Sequence, residues 1–433
     1  MKILAVTGKP ILHSKSPDIF NFYTQQKNID AVYFRLAANS AEEAIGLLKL
    51  YQLRGLNVTS PFKEDMLSLA DVIDSAAQQI GSINTIVNNN GILTGYNTDY
   101  LGIQRSLARY GVDCTAKNCL VLGAGGAARA VIYALKELGA TVTVINRTFE
   151  KAKKLATEFA IQSASLDDLE VQLSEADIFI STLSADICMI DPNWLRPEMV
   201  VFDANYKSST LQRIATKREC RVISGIDWLV NQAAPAAELF FETEIDTELM
   251  YEALQVKKLS KKNYNLSLVG LMGSGKSTTG NYIAENTNLK FEDTDIAIVK
   301  KYNKTVSEIF KTEGEKSFRD KETKTLDSLL KRPNTVIACG GGIVLKPENR
   351  DMLARRTCVI WLSASPQQVI ARMKPGSRPL LQVEDPLAKA KELFVERAHL
   401  YASVADVMIN AENYTTEQIA SKIYEEIDTA FGN

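Results

Sequence analysis

The chain has 433 residues, 45% hydrophobic and 24% charged, which is enough for two or three domains that each bury a core. Its 50 Lys and Arg against 52 Asp and Glu leave a net charge of −2, so it lacks the broad basic excess of a general nucleic-acid binder. No segment has the apolar length of a bilayer span and the N-terminus lacks a secretory-signal layout, so a cytoplasmic chain without a membrane partner is expected.

In chain order, residues 3–6 and 31–34 read as strands, and 40–51 as an amphipathic helix opened by a Ser cap and early Glu residues. Residues 53–59 form a further strand that Pro61 should stop. From Asn118 a βαβ unit follows: strand 120–122, helix 127–138 closed by Gly139, and strand 141–146. Apolar runs at 178–181 and 199–203 continue a parallel sheet. The Lys-rich stretch 257–264 breaks the pattern and reads as a solvated linker. A second α/β pattern follows, with strands at 266–269, 336–339 and 359–362. Six scattered cysteines without a CxxC pair and two distant histidines, His13 and His399, predict reduced thiols and no zinc site.

The first turn of the βαβ unit carries Gly123-Ala124-Gly125-Gly126-Ala127-Ala128. One glycine permits the tight turn, the next lets backbone approach a pyrophosphate, and the helix N-terminus faces the phosphates with free N–H groups. The end of the next strand is Asn146-Arg147-Thr148, where an NAD site usually has an acid. A guanidinium pairs with a 2′-phosphate that a carboxylate would repel, so NADP is expected over NAD.

The second pattern opens with Gly270-Leu271-Met272-Gly273-Ser274-Gly275-Lys276-Ser277-Thr278 directly after a strand-like run. This is the GxxxxGK[ST] phosphate loop: its N–H groups form an anion nest, Lys276 reaches the β- and γ-phosphates, and Ser277 ligates magnesium. Asp293 and Asp295 stand at the end of strand-like 289–291, one placed to hold magnesium and the other to meet an acceptor hydroxyl. Arg319, the glycines 340–342 and Arg397 suit a compact carboxylate ligand.

The N-terminal half also carries His13-Ser14-Lys15-Ser16-Pro17, Asn57-Val58-Thr59-Ser60-Pro61-Phe62-Lys63, Gly81-Ser82-Ile83-Asn84 and Asn97-Thr98-Asp99 in order. With these motifs residues 1–256 resemble the shikimate dehydrogenase family. The resemblance implies that Ser14, Ser16, Thr59, Asn84, Asp99 and Gln232 hold a small polyol acid, with Lys63 and Asp99 as the catalytic pair. It places Tyr206 and Gly225 near substrate and nicotinamide. The chain departs from the family at 207–211, which lacks the usual proline turn, and at Ser224, where an Asp is common. Both departures concern loops near the nicotinamide.

Residues 265–433 resemble shikimate kinase through GLMGSGKST, DTD, FRxxE, GGG, RPLL and ERAHLY. That resemblance implies shikimate binding by Asp295, Arg319, Gly341 and Arg397, magnesium at Ser277 and Asp293, Arg378 closing on the transferring phosphate, and Arg372 beside adenine. Asp295, Lys276 and Arg378 would then carry the catalysis.

The two resemblances name consecutive steps, so the expectation is a bifunctional enzyme of aromatic amino-acid biosynthesis that uses NADP(H), ATP and magnesium. The expected architecture is an α/β substrate domain at 1–100, completed by 234–256, around a Rossmann NADP domain at 101–233. The linker and a parallel-sheet, P-loop kinase-type α/β domain at 265–433 follow. The two sites are expected to be independent. A dehydrogenase using NAD or quinate with a fused kinase, and a catalytically inert shikimate sensor, are the alternatives.

Overall fold

Short apolar runs alternating with amphipathic stretches give strands buried along most of their length, as parallel sheet covered by helices on both faces requires. The computed structural model describes all residues except 184–185, 187–188, 207–208, 257–264, 373–380 and 432–433. The expected linker, Arg378 and part of the departing 207–211 loop therefore lie outside the described residues.

The strands are β1 (Lys2–Gly8), β2 (Ala31–Ala37), β3 (Gly55–Val58), β4 (Val72–Ile73), β5 (Thr85–Asn89) and β6 (Ile92–Tyr96). Next come β7 (Asn118–Leu122), β8 (Thr141–Ile145), β9 (Gln162–Ala164), β10 (Ile178–Ser181), β11 (Val200–Asp203) and β12 (Arg221–Ile223). The last five are β13 (Asn265–Val269), β14 (Lys290–Asp293), β15 (Thr335–Ala338), β16 (Thr357–Ser363) and β17 (Val407–Asn410). The fold divides into two compact units, Met1–Leu56 with Val256–Asn433, and Asn57–Gln255.

In the first unit the strands run β14-β15-β13-β16-β17-β2-β1, all parallel. The junction is the pairing of β17 with β2, which sets Met408 beside Leu36 and Ile409 beside Ala37. Strands from both ends of the sequence thus share one sheet, and neither β2 nor β17 leaves its edge open there. Aromatic packing backs the junction. The Tyr51 ring lies 4.9 Å from Trp361 and 4.7 Å from Phe394, and its hydroxyl is 2.7 Å from Ser363 Oγ. Glu426, on the helix Thr416–Phe431, accepts from the Ile11 and Leu12 N–H groups at 2.8 and 2.7 Å. Its burial raises its pKa.

The second unit holds a six-stranded parallel sheet, β12-β11-β10-β7-β8-β9. The order reverses between β7 and β10, so a crevice opens beyond their C-terminal ends, where doubly wound sheets bind ligands. The unit also contains the β5–β6 antiparallel hairpin, with β4 parallel to β6. The helix Gly225–Phe241 packs on Asp99–Arg109 so closely that a Cβ on Gly102 would lie 2.7 Å from Gln232 Cβ.

Local details follow the sequence. The helix expected at 40–51 is Ala41–Leu50, and Ser40 Oγ accepts from Glu43 N. The helix after the Gly-rich turn is Gly126–Glu137, with Gly139 at φ 76° just beyond it. The strand expected at 53–59 is shorter, because pairing is confined to Gly55–Val58. Among the described residues no helix is long and apolar enough to cross a membrane, and the five described cysteines are free and buried.

Candidate active sites

The second unit gathers four of the sequence-predicted groups. Lys63 Nζ donates to Asp99 Oδ2 at 2.6 Å, and the Asp99 side chain is 8% exposed. Asn84 Nδ2 faces Asp99 Oδ1 at 2.9 Å and Gln232 Oε1 at 3.4 Å, while its Oδ1 accepts from Thr98 N. Trp228 Nε1 donates to the Asp99 carbonyl, which fixes the start of the helix that carries Asp99. Asp99 is therefore held from both sides, and the ammonium of Lys63 is its charge partner. Thr59 stands half-buried at the exit of β3. Ser14 and Ser16 belong to the first unit, where the Ser14 carbonyl accepts from Arg35 Nε at 2.9 Å and Ser16 is buried.

The Gly-rich turn follows β7. Gly123 has φ 118°, and a Cβ there would lie 2.2 Å from Thr182 Oγ1, so only glycine fits. The helix that starts at Gly126 has no side-chain cap, which leaves its first N–H groups for a ligand. A Cβ on Gly126 would sit 3.6 Å from Lys63 Cδ, so the lysine lies against this turn. At the end of β8, Asn146 Nδ2 donates to the Thr148 carbonyl and Arg147 is exposed. These features fit a dinucleotide with a 2′-phosphate. Gly225 packs against the Ala204 carbonyl, where a Cβ would lie 2.1 Å away, and Tyr206 stands half-buried two residues beyond.

In the first unit the phosphate loop lines a cavity of about 840 Å³ with Lys276, Ser277, Asp293, Asp295, Gly341 and Arg372. Lys276 Nζ donates to the Gly270 and Leu271 carbonyls, which curls the loop around its own lysine. The helix Lys276–Glu285 has Gly275 as an N-cap at φ 94° and no side-chain cap. Ser277 Oγ donates to Asp293 Oδ2 at 2.7 Å, so the two expected magnesium ligands already converge. Gly273, Ser274 and Thr278 complete the loop, and Ser274 is fully buried. A polyphosphate with its divalent cation fits this donor set.

Beside it, Arg319 Nη1 donates to Glu322 Oε2 at 2.9 Å in a site where both residues are buried. A Cβ on Gly342 would lie 2.4 Å from the Arg319 guanidinium, and one on Gly340 2.8 Å from Asp295 Oδ1. Arg397 Nη1 and Tyr401 Oη both donate to the Gly341 carbonyl. Buried Glu322 Oε1 and Arg397 Nε have no hydrogen-bond partner among the described residues. Burial pushes Glu322 up to about 7, against the pull of Arg319. Glu322 and Tyr401 close the FRxxE and ERAHLY motifs, but the sequence alone assigned neither a role. Their signal was helical spacing, three residues after Arg319 and four after Arg397.

Family models match in three stretches: the shikimate dehydrogenase substrate binding domain at residues 6–86, shikimate / quinate 5-dehydrogenase at 106–206, and shikimate kinase at 272–428. The shikimate dehydrogenase (NADP(+)) of Pyrococcus furiosus is 38% identical over 256 residues, covering 58% of this chain and 93% of that protein. That of Aquifex aeolicus is 34% identical over 251 residues, 56% of this chain and 93% of its own. A crystal structure of the Aquifex aeolicus enzyme covers 59% of this chain and 98% of its own, with TM-score 0.57 and 32% identity. The Thermus thermophilus enzyme in complex with NADP(H) and shikimate covers 59% and 99%, with TM-score 0.55 and 31% identity. The chain belongs to the shikimate dehydrogenase family and carries a shikimate kinase domain behind it.

Proposed function

We propose that this chain reduces 3-dehydroshikimate to shikimate with NADPH and then phosphorylates shikimate at its 3-hydroxyl with ATP. The observation that carries the first activity is the Lys63–Asp99 pair set against the Gly-rich turn. NADPH, when bound, supplies the hydride to the ketone carbon. Lys63 gives the proton to the oxygen that becomes the alkoxide, and Asp99 holds and aims its ammonium. Asn84 and Gln232, joined to Asp99, orient the neighbouring hydroxyls, and Ser14, Ser16 and Thr59 are assigned to the substrate from their motifs alone. Arg147 selects the 2′-phosphate.

The second activity rests on the phosphate loop and the converging Ser277 and Asp293. ATP with magnesium supplies the phosphoryl group. Lys276 neutralises charge on the phosphates, Asp295 orients the attacking hydroxyl and accepts its proton as the O–P bond forms and ADP leaves, and Arg319 and Arg397 hold the substrate carboxylate. Arg378 is assigned here from its RPLL motif alone. The retained Lys63, Asp99, Lys276 and Asp295 argue against an inert sensor, and Arg147 in place of an acid argues against NAD. We assign residues 1–100 with 234–256 to the dehydrogenase substrate domain, 101–233 to its cofactor domain, 257–264 to the linker and 265–433 to the kinase. A cytoplasmic location fits this metabolism.

The test is one incubation with 3-dehydroshikimate, NADPH, ATP and magnesium, read by mass spectrometry. Shikimate 3-phosphate formed only when both NADPH and ATP are present is expected. Shikimate alone would leave the kinase assignment without support, and no product would remove both.

A further inference from the structure

The shared sheet brings residues from the start of the chain up to the nucleotide cavity. β2 and β17 are parallel neighbours, so both chains leave the sheet at the same edge. β13 runs parallel in that sheet too, and its exit at this edge is the phosphate loop. The turn after β17 therefore meets the turn after β2. The first of these turns lines the far side of the cavity with Tyr414, Thr415 and Thr416. The second supplies Asn39, whose Nδ2 donates to Tyr414 Oη at 2.8 Å.

Glu43 makes a second tie. One carboxylate oxygen accepts from the Asn39 N–H at 2.5 Å, a contact local to the start of the helix. The other oxygen accepts from Asn410 Nδ2 at 2.7 Å, a contact that capping does not require. Asn410 Oδ1 in turn accepts from Glu412 N, and the adjoining Ala411 carbonyl accepts from Arg372 Nη2 at 2.8 Å. Arg372, Asn410 and Tyr414 are thus linked to a frame whose outer members are Asn39 and Glu43.

We propose that Asn39 and Glu43 of the N-terminal segment are positioning residues for the kinase: they hold the 410–415 turn where it receives the nucleoside end of ATP. This rests on the reading of the cavity as the ATP site, with the phosphates at Lys276 and the base at the Arg372–Tyr414 side. It departs from the expectation of independent sites, because the nucleotide pocket is framed by residues that precede the linker by more than two hundred positions.

The experiment is a double-mutant cycle in the full chain with Asn39→Ala and Tyr414→Phe, reading the ATP Kd by calorimetry and both sets of steady-state constants. Loss of one positioning hydrogen bond should weaken ATP binding about three- to tenfold. The KM for shikimate in the kinase reaction should stay unchanged, as should dehydrogenase kinetics in the same protein. The two substitutions should be non-additive, since each removes the same bond. Glu43→Ala should reproduce the loss. Additive effects, unchanged ATP affinity, or a parallel decline of both activities with thermal stability would each overturn the proposal. Wild-type protein that binds no ATP would overturn the reading beneath it, an outcome distinct from variants that bind as wild type does.

Discussion

Lys63 Nζ and Asp99 Oδ2 lie 2.6 Å apart, an ion pair between a strand-exit loop and the first residue of a helix. Both ends are anchored: Asp99 by Asn84 and by Asn97 Oδ1 on its own N–H, Lys63 by its packing against the Gly-rich turn. The pair is therefore set before any ligand arrives, which is what proton transfer to a developing alkoxide needs.

Replacing Lys63 by Ala should lower the dehydrogenase kcat by roughly a hundred- to ten-thousand-fold, the range for a lost general acid. The kinase rate of the same preparation should be unchanged. Steady-state assays of both activities check this, and a Lys63→Ala protein that still reduces 3-dehydroshikimate at the wild-type rate would remove Lys63 from the chemistry.

Arg147 should decide the cofactor. Arg147→Ala is expected to raise the KM for NADPH by about ten- to a hundredfold, the weight of a charge-assisted contact, and to leave the KM for NADH nearly unchanged. Equal effects on the two cofactors would show that another group meets the 2′-phosphate.

The contact between Ser277 and Asp293 predicts a magnesium phenotype. Ser277→Ala and Asp293→Asn should each shift the magnesium dependence of the kinase to higher concentration, with dehydrogenase kinetics unaffected. A magnesium titration at saturating ATP distinguishes this from a general loss of rate.

Glu322 carries a pH prediction. Burial raises its pKa from an ordinary 4.5 to about 7 despite Arg319. Between those values the folded chain keeps a proton that the unfolded chain has released, so this group lowers stability as pH rises across that window. The stability difference between wild type and Glu322→Gln should therefore fall from pH 4.5 to pH 7. Denaturant melts across that range measure it, and a difference that does not change with pH would contradict the assignment.

Tyr51 tests the junction of the shared sheet. Its ring is buried between Trp361 and Phe394, so Tyr51→Ala should leave a cavity and cost about 3 kcal/mol. Because those partners come from the C-terminal part of the chain, the kinase should lose thermal stability from a substitution at residue 51. Kinase inactivation that matches wild type at every temperature would show that the junction carries no such weight.

The two nucleotide loops, the Ser40 cap, the turn at Gly123 and the runs that became β7, β10, β13 and β16 were legible in the residues alone. Each of these is specified locally, by glycine where backbone must turn or approach closely, by a capping hydroxyl, or by an unbroken apolar run. The sequence also named Lys63, Asp99, Asn84, Ser277 and Asp293, because their motifs stand in recognisable order. The tertiary structure alone decided that Asn84 bridges Asp99 and Gln232, and that Glu322 is buried beside Arg319 with its pKa raised. It alone set β2 beside β17, with Asn39 against Tyr414. No local pattern encodes such contacts. Partners hundreds of residues apart meet only when strands choose their neighbours, and a strand's apolar run states that it will be buried without stating beside what.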